Sequence, residues 1–168
     1  METSRKRKKN FNEMKKYLYL DIDGVLAVGY TSKTKETPWG NIYKWDAKCV
    51  KILNDIIKET GADIIVSSDW KNSFMFYELV EIFKWQGVEK SPISITPHIA
   101  GGSLQQLDEF RAKEILMHVE EHKPDKWVAI DDLVLHPYID EEHFVEMPRW
   151  MEGVKQSGKK DKITMLLS

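Results

Sequence analysis

Three short apolar runs constrain this chain more than anything else in it: YLYL at 17–20, ADIIV at 62–66 and WVAI at 127–130. They are apolar at nearly every position, the pattern of strands covered on both faces rather than strands with one face in water. The segments between them carry helical periodicity. In DAKCVKILNDIIKETG, Asp46 stands where an N-cap belongs, Ala47, Val50, Leu53 and Ile57 form an apolar face, and Gly61 ends the helix. A second helix is expected over 72–87, closed by Gly87, and a third over 104–122, stopped by Pro124. SPISITP and HFVEM read as two more short extended segments, 159–168 as a short tail helix or strand, and 29–45 as a loop or small excursion. Strands alternating with helices predict an α/β, three-layer, Rossmann-like fold with a central parallel sheet.

Parallel sheets of this kind bind ligands at the carboxyl ends of their strands. Here YLYL runs into Asp21-Ile22-Asp23-Gly24, ADIIV into Ser67-Ser68, and WVAI into Asp131-Asp132. Stability does not ask for carboxylates there, since uncompensated charge at a sheet edge is costly. Chemistry does. An aspartate is ionised at neutral pH without help, and its carboxylate can accept a phosphoryl group, which suits Asp21 as a nucleophile. Asp23, two residues on, can reach over the same pocket to protonate a leaving oxygen and later activate water. Gly24 allows a sharp turn and a close backbone approach to phosphate. An anion attacking a phosphate needs a counter-charge. A Mg²⁺ held by Asp21, the Asp23 main-chain carbonyl and one of Asp131 and Asp132 would provide it.

The Asp-x-Asp-Gly-Val-Leu pattern after an apolar strand would arise by chance in about one chain per thousand of this length. It resembles the first motif of the haloacid dehalogenase-like (HAD) phosphohydrolase superfamily. The other motifs have candidates in the same order: Ser67 for the second, a basic residue of FRAKEIL for the third, Asp131-Asp132 for the fourth. The resemblance spans about Lys15 to Leu135. SSDWK, followed by RAKEI and IDDL, is further similar to the small domains of this superfamily found in RNA-repair proteins, except that Lys71 stands where arginine is usual. The resemblance implies Asp132 as a direct metal ligand, Asp131 as a direct or water-mediated one, and Ser67 as a hydrogen-bond donor to a phosphoryl oxygen. For the third motif, Arg111 fits the R-x-x-E-I spacing of the RNA-repair relatives and Lys113 the more general lysine pattern. Ser68 and Trp70 are candidate substrate contacts with Gly24. The segment 72–103 is too short for a large lid, so a minimal cap, or none, is expected. Open sites in this superfamily act on large substrates, so the implied activity is a phosphatase on a polynucleotide end or a nucleotide. The same residues would serve a phosphotransferase, and a catalytically inactive binding module is the alternative from another class.

Bulk properties set the outer limits. With 168 residues the chain can bury one core, expected over 14–168, and residues 1–13 read as a disordered extension carrying the basic run RKRKK. The net charge of −2 excludes polyanion binding by bulk electrostatics. A single cysteine, Cys49, and the lack of a membrane-length or secretory apolar run point to the cytoplasm, and the sequence is silent on oligomeric state. His118 and His122, four apart on a helix, lack a third metal ligand and read as surface positions. Trp39, Trp45 and Trp70 lie near the motifs, where aromatics can stack a base, although packing is their commoner use.

Overall fold

The computed structural model describes residues 13–29, 34–149 and 151–168, so the basic run at 5–9 lies outside the described residues. In chain order, β1 (Lys16–Leu20) leads to a hairpin of β2 (Thr34–Thr37) and β3 (Gly40–Tyr43), then α1 (Ala47–Thr60) and β4 (Asp63–Val66). α2 (Phe76–Trp85), β5 (Ser94–Ile95), α3 (Leu107–His122) and β6 (Lys126–Asp131) follow, and β7 (Phe144–Glu146) and α4 (Lys159–Leu167) close the chain. The main sheet has the order β5-β4-β1-β6-β7 and every pairing in it is parallel. The expected fold is therefore present, and no cap domain interrupts it among the described residues. The excursion after the first motif is the small antiparallel β2–β3 hairpin.

The period of two along β1 divides the core. Leu18 and Leu20 face one side, where Val50, Leu53, Ile56 and Ile57 of α1, Leu79, Ile82 and Phe83 of α2, and Ile163 and Leu167 of α4 cover the sheet. Tyr17 and Tyr19 face the other, packed with Ile65, Ala129 and Phe144 against Ala112 and Ile115 of α3 and against Leu135 and Ile139.

Local chemistry explains the helix boundaries. Asp46 caps α1 by accepting the N–H groups of Lys48 and Cys49, both at 2.9 Å, and Gly61 ends it at φ 72°. Ala47 is exposed, and Cys49 and Ile56 take the inward positions expected of that face. The second helix starts later than its periodicity suggests. Ser68 instead caps a 3-10 turn over Asp69–Asn72, and α2 begins only at Phe76.

His118 is the clearest departure from expectation. It is buried, not on the surface, with Nδ1 2.9 Å from the Tyr19 hydroxyl and Nε2 3.1 Å from Ser94 Oγ, and His122 stacks on it at 3.8 Å. Those two hydroxyls satisfy the ring where solvent does not reach. Burial, with help from His122 and Lys15, pushes its pKa down to about 4. An unfolded chain protonates it near 6.5. Below that pH the unfolded state binds more protons, so this residue costs stability as pH falls from about 6.5 to about 4. We predict that the drop in denaturation midpoint between pH 7 and pH 5 is smaller in His118→Gln than in wild type.

Candidate active site

The register of three neighbouring strands builds the site. Leu20 at the end of β1 lies beside Val66 of β4 and Ile130 of β6. The next residue of each strand is therefore delivered to one edge: Asp21, Ser67 and Asp131. Backbone bonds from Asp21 N to Ile130 O (3.1 Å) and from Ser67 N to Leu20 O (2.9 Å) extend the ladder into the site. Beyond Asp21 the chain coils back, with the Ile22 carbonyl accepting from Val25, Leu26 and Ala27. Gly24 makes this possible. It sits at φ +77°, and a Cβ there would lie 2.3 Å from Asp132 Oδ2. A side chain at 24 would be strained by the positive φ and would force the Asp132 carboxylate to move.

Arg111 enters from α3 on the far face of the sheet. Its side chain is buried, with Nη1 2.5 Å from Asp131 Oδ2 and 3.3 Å from Asp21 Oδ1, and Nη2 3.3 Å from Asp69 Oδ1. Burial opposes its charge, but Asp131, Asp21 and Asp69 hold the guanidinium charged and raise its pKa. The carboxylates feel the reverse. Burial and then the nearby Asp131 raise Asp21 well above the usual carboxylate range, and Arg111 only partly offsets them. Burial raises Asp131, against Arg111 and the Leu133 N–H, and burial with Asp131 pushes Asp132 up to about 6. Lys113 is not part of this group. It is exposed, 2.7 Å from Glu109 and over the Phe110 ring, because two positions on a helix turn it to the opposite side from Arg111.

The remaining predicted residues fall into two sets. Ser67 is buried and its hydroxyl has no hydrogen-bond partner among the described residues. A buried unpartnered hydroxyl is uncommon and asks for an explanation. Ser68 and Trp70, by contrast, are engaged within the protein. Ser68 Oγ accepts the Trp70 backbone N–H at 3.4 Å, and the Trp70 indole N–H donates to Asp23 Oδ2 at 3.0 Å. Trp45 is buried edge-on to Phe83 and Trp70, and Trp39 is half-buried against the core, so packing accounts for both. Lys71 is also inward: its Nζ donates to Thr96 Oγ1 (2.8 Å), Pro97 O (3.2 Å) and Glu114 Oε2 (2.5 Å), which ties the turn after β4 to β5 and α3.

Asp21, Asp131 and Asp132 each present an oxygen within 4.8 Å of the others. Oxygen-only ligands in this number suit a hard divalent cation. The raised carboxyl groups are what a cation between them would relieve, so the residues present fit Mg²⁺. Asp131 already has Arg111 on one oxygen and the Leu133 N–H on the other, which leaves Asp132 the more available ligand. Above them is a cleft of about 330 Å³, lined by Asp21, Asp23, Asp69, Asp132, Leu104 and Arg149 among others. Sequence reasoning missed Asp69, Leu104 and Arg149. Asp69 was within reach, since it adjoins the second motif, but nothing local marks Arg149, which comes from beyond β7.

Residues 17–156 match the family described as the HAD domain in Swiss Army Knife RNA repair proteins. The chain belongs to that family. This HAD domain is accordingly of the phosphohydrolase type in general, a class that generally uses Mg²⁺. No curated protein and no solved structure matches the chain. Among the described residues no helix is long and apolar enough to cross a membrane.

Removing Arg111 would leave Asp21 and Asp131 buried without their counter-charge. Arg111→Gln is expected to lower stability by about 3–5 kcal/mol at pH 7.5 in urea denaturation. The folded variant would then take up protons on those carboxyls more readily than wild type does. The deficit should therefore narrow at pH 5.5.

Proposed function

We propose that this protein is a Mg²⁺-dependent phosphatase that hydrolyses a phosphate monoester through an aspartyl-phosphate, on a polynucleotide end or a nucleotide. The observation that carries the reading is the meeting, at one sheet edge, of Asp21, the unpartnered Ser67 hydroxyl and the Asp131–Asp132 pair around a buried arginine. Stability explains none of these polar groups at that edge, and phosphoryl transfer uses each of them.

In the first step an Asp21 oxygen forms a bond to phosphorus while the bond from phosphorus to the ester oxygen breaks. Asp23 gives its proton to the departing oxygen. Partial desolvation at the lip of the cleft raises the Asp23 carboxyl, against the Trp70 N–H that lowers it, and the net direction favours the protonated form that this step needs. Ser67 Oγ donates to a phosphoryl oxygen, which gives that hydroxyl its missing partner. Arg111 holds Asp21 and Asp131 in place from below and favours the ionised form of the attacking carboxylate, against burial and Asp131. In the second step Asp23, now a carboxylate, takes a proton from water as the water oxygen bonds to phosphorus and Asp21 leaves. Asp21, Asp132 and the Asp23 carbonyl would hold Mg²⁺, with Asp131 beside them. When bound, the ion neutralises charge among the carboxylates and on the phosphate. The RNA-repair setting of the family supports a nucleic-acid or nucleotide substrate, as does a cleft with no cap domain over it among the described residues.

Phosphate release from 4-nitrophenyl phosphate should require Mg²⁺, stop with EDTA and fall to background in Asp21→Asn. Ser67→Ala should lower kcat/KM on the order of 10²-fold. Turnover that survives Asp21→Asn would overturn the mechanism.

A further inference from the structure

Trp70 stands in the second motif, and its position suggests a substrate contact. The structure gives its polar atom a different partner. The indole N–H donates to Asp23 Oδ2 at 3.0 Å, across 47 residues of sequence. Asp23 is otherwise an exposed side chain at the lip of the cleft, where a carboxylate would sample several rotamers. The indole itself is anchored from the core. Trp45, 2% exposed, meets it edge-on at 5.7 Å, and Phe83 backs Trp45 at 5.0 Å. Phe74 covers another side at 5.6 Å. The main chain at Trp70 is fixed by the Ser68 cap and by its own carbonyl, which accepts from Ser73 and Phe74. Trp45 is held in turn through its backbone N–H, which donates to Gln86 Oε1 at 2.9 Å.

We propose that Trp70 is a positioning residue for Asp23. A cluster of edge-to-face aromatic rings running from the core to the cleft holds one carboxylate oxygen and leaves the other, Oδ1, aimed at the ester oxygen of the substrate. This rests on the phosphatase reading above and adds a role for a residue outside the reacting groups. The gain is orientational: a misplacement of the order of 1 Å at a proton donor costs about 10²-fold in rate. It also has a direction. A leaving group that departs as a stable anion needs no proton, whereas a sugar alkoxide does. The contribution of Trp70 should therefore grow with the basicity of the leaving group.

The test compares kcat/KM, which reports the step that expels the leaving group, for 4-nitrophenyl phosphate and for a ribose phosphate monoester, both with Mg²⁺. Trp70→Phe keeps an aromatic ring and removes the N–H. We expect its loss on the ribose ester to exceed its loss on the aryl ester by about tenfold. In the protein without metal, the Trp70 indole proton, assigned by its disappearance in Trp70→Phe, should move upfield in Asp23→Ala. Equal losses on the two esters, or no loss on either, would overturn the proposal and leave the phosphatase reading intact. So would an indole proton that ignores Asp23→Ala. A raised KM confined to oligonucleotide substrates, with the two small esters affected alike, would overturn it in favour of base stacking. Absence of turnover by wild type on both esters would overturn the phosphatase reading, and this proposal with it.

Discussion

The buried guanidinium of Arg111 is the interaction on which the rest of the site depends. It is the counter-charge within reach of Asp21 and Asp131 at once, and both carboxylates lie at strand ends with almost no access to water. Two carboxyls that close would otherwise shed their charge by binding protons, because desolvation and mutual repulsion act in the same direction. Arg111 does not cancel that pressure completely, since Asp21 and Asp131 both remain raised. A divalent cation held by these carboxylates, as proposed, would offset what Arg111 leaves uncompensated. Structure and proposed chemistry meet here, because the same uncompensated charge would obstruct an attack on phosphate unless neutralised.

Two supports keep this arrangement in register. The first is the parallel ladder β4-β1-β6, whose hydrogen bonds run one residue past the strands and place Asp21 between Ser67 and Asp131. The second is the turn after β4, a short segment with unusually many tasks. Ser68 caps it, Asp69 meets Arg111, Trp70 meets Asp23, and Lys71 is buried against Glu114. Each of these ties a different part of the molecule to one turn. The turn occupies Asp69–Asn72, and α2 begins after it, at Phe76.

The absence of a cap domain among the described residues shifts the burden of recognition onto the rim of the cleft. Leu104, 92% exposed, and Arg149, also exposed, stand there with Leu107 and Leu133 behind them.

Much of this was legible in the order of residues. Apolar runs that end in Asp-x-Asp, Ser and Asp-Asp determined the parallel sheet, the edge that carries the site and the residues gathered there, because a strand buried on both faces admits little variation in pattern. The helix caps at Asp46 and Gly61 were equally plain, being interactions between residues a few positions apart. Tertiary structure alone decided matters that turn on direction rather than identity. Arg111 and Lys113 are both cations on one helix, and only packing against the sheet sends Arg111 inward and leaves Lys113 in solvent. His118 looked like a surface residue until Tyr19 and Ser94, 99 and 24 positions away, supplied its hydrogen bonds. The Trp70 indole N–H likewise finds its partner in Asp23, 47 positions away, and Arg149 reaches the cleft from beyond the last strand of the sheet. Local sequence encodes the period of an element and its caps. It does not encode which long-range partner will satisfy a polar atom once the chain has closed around it.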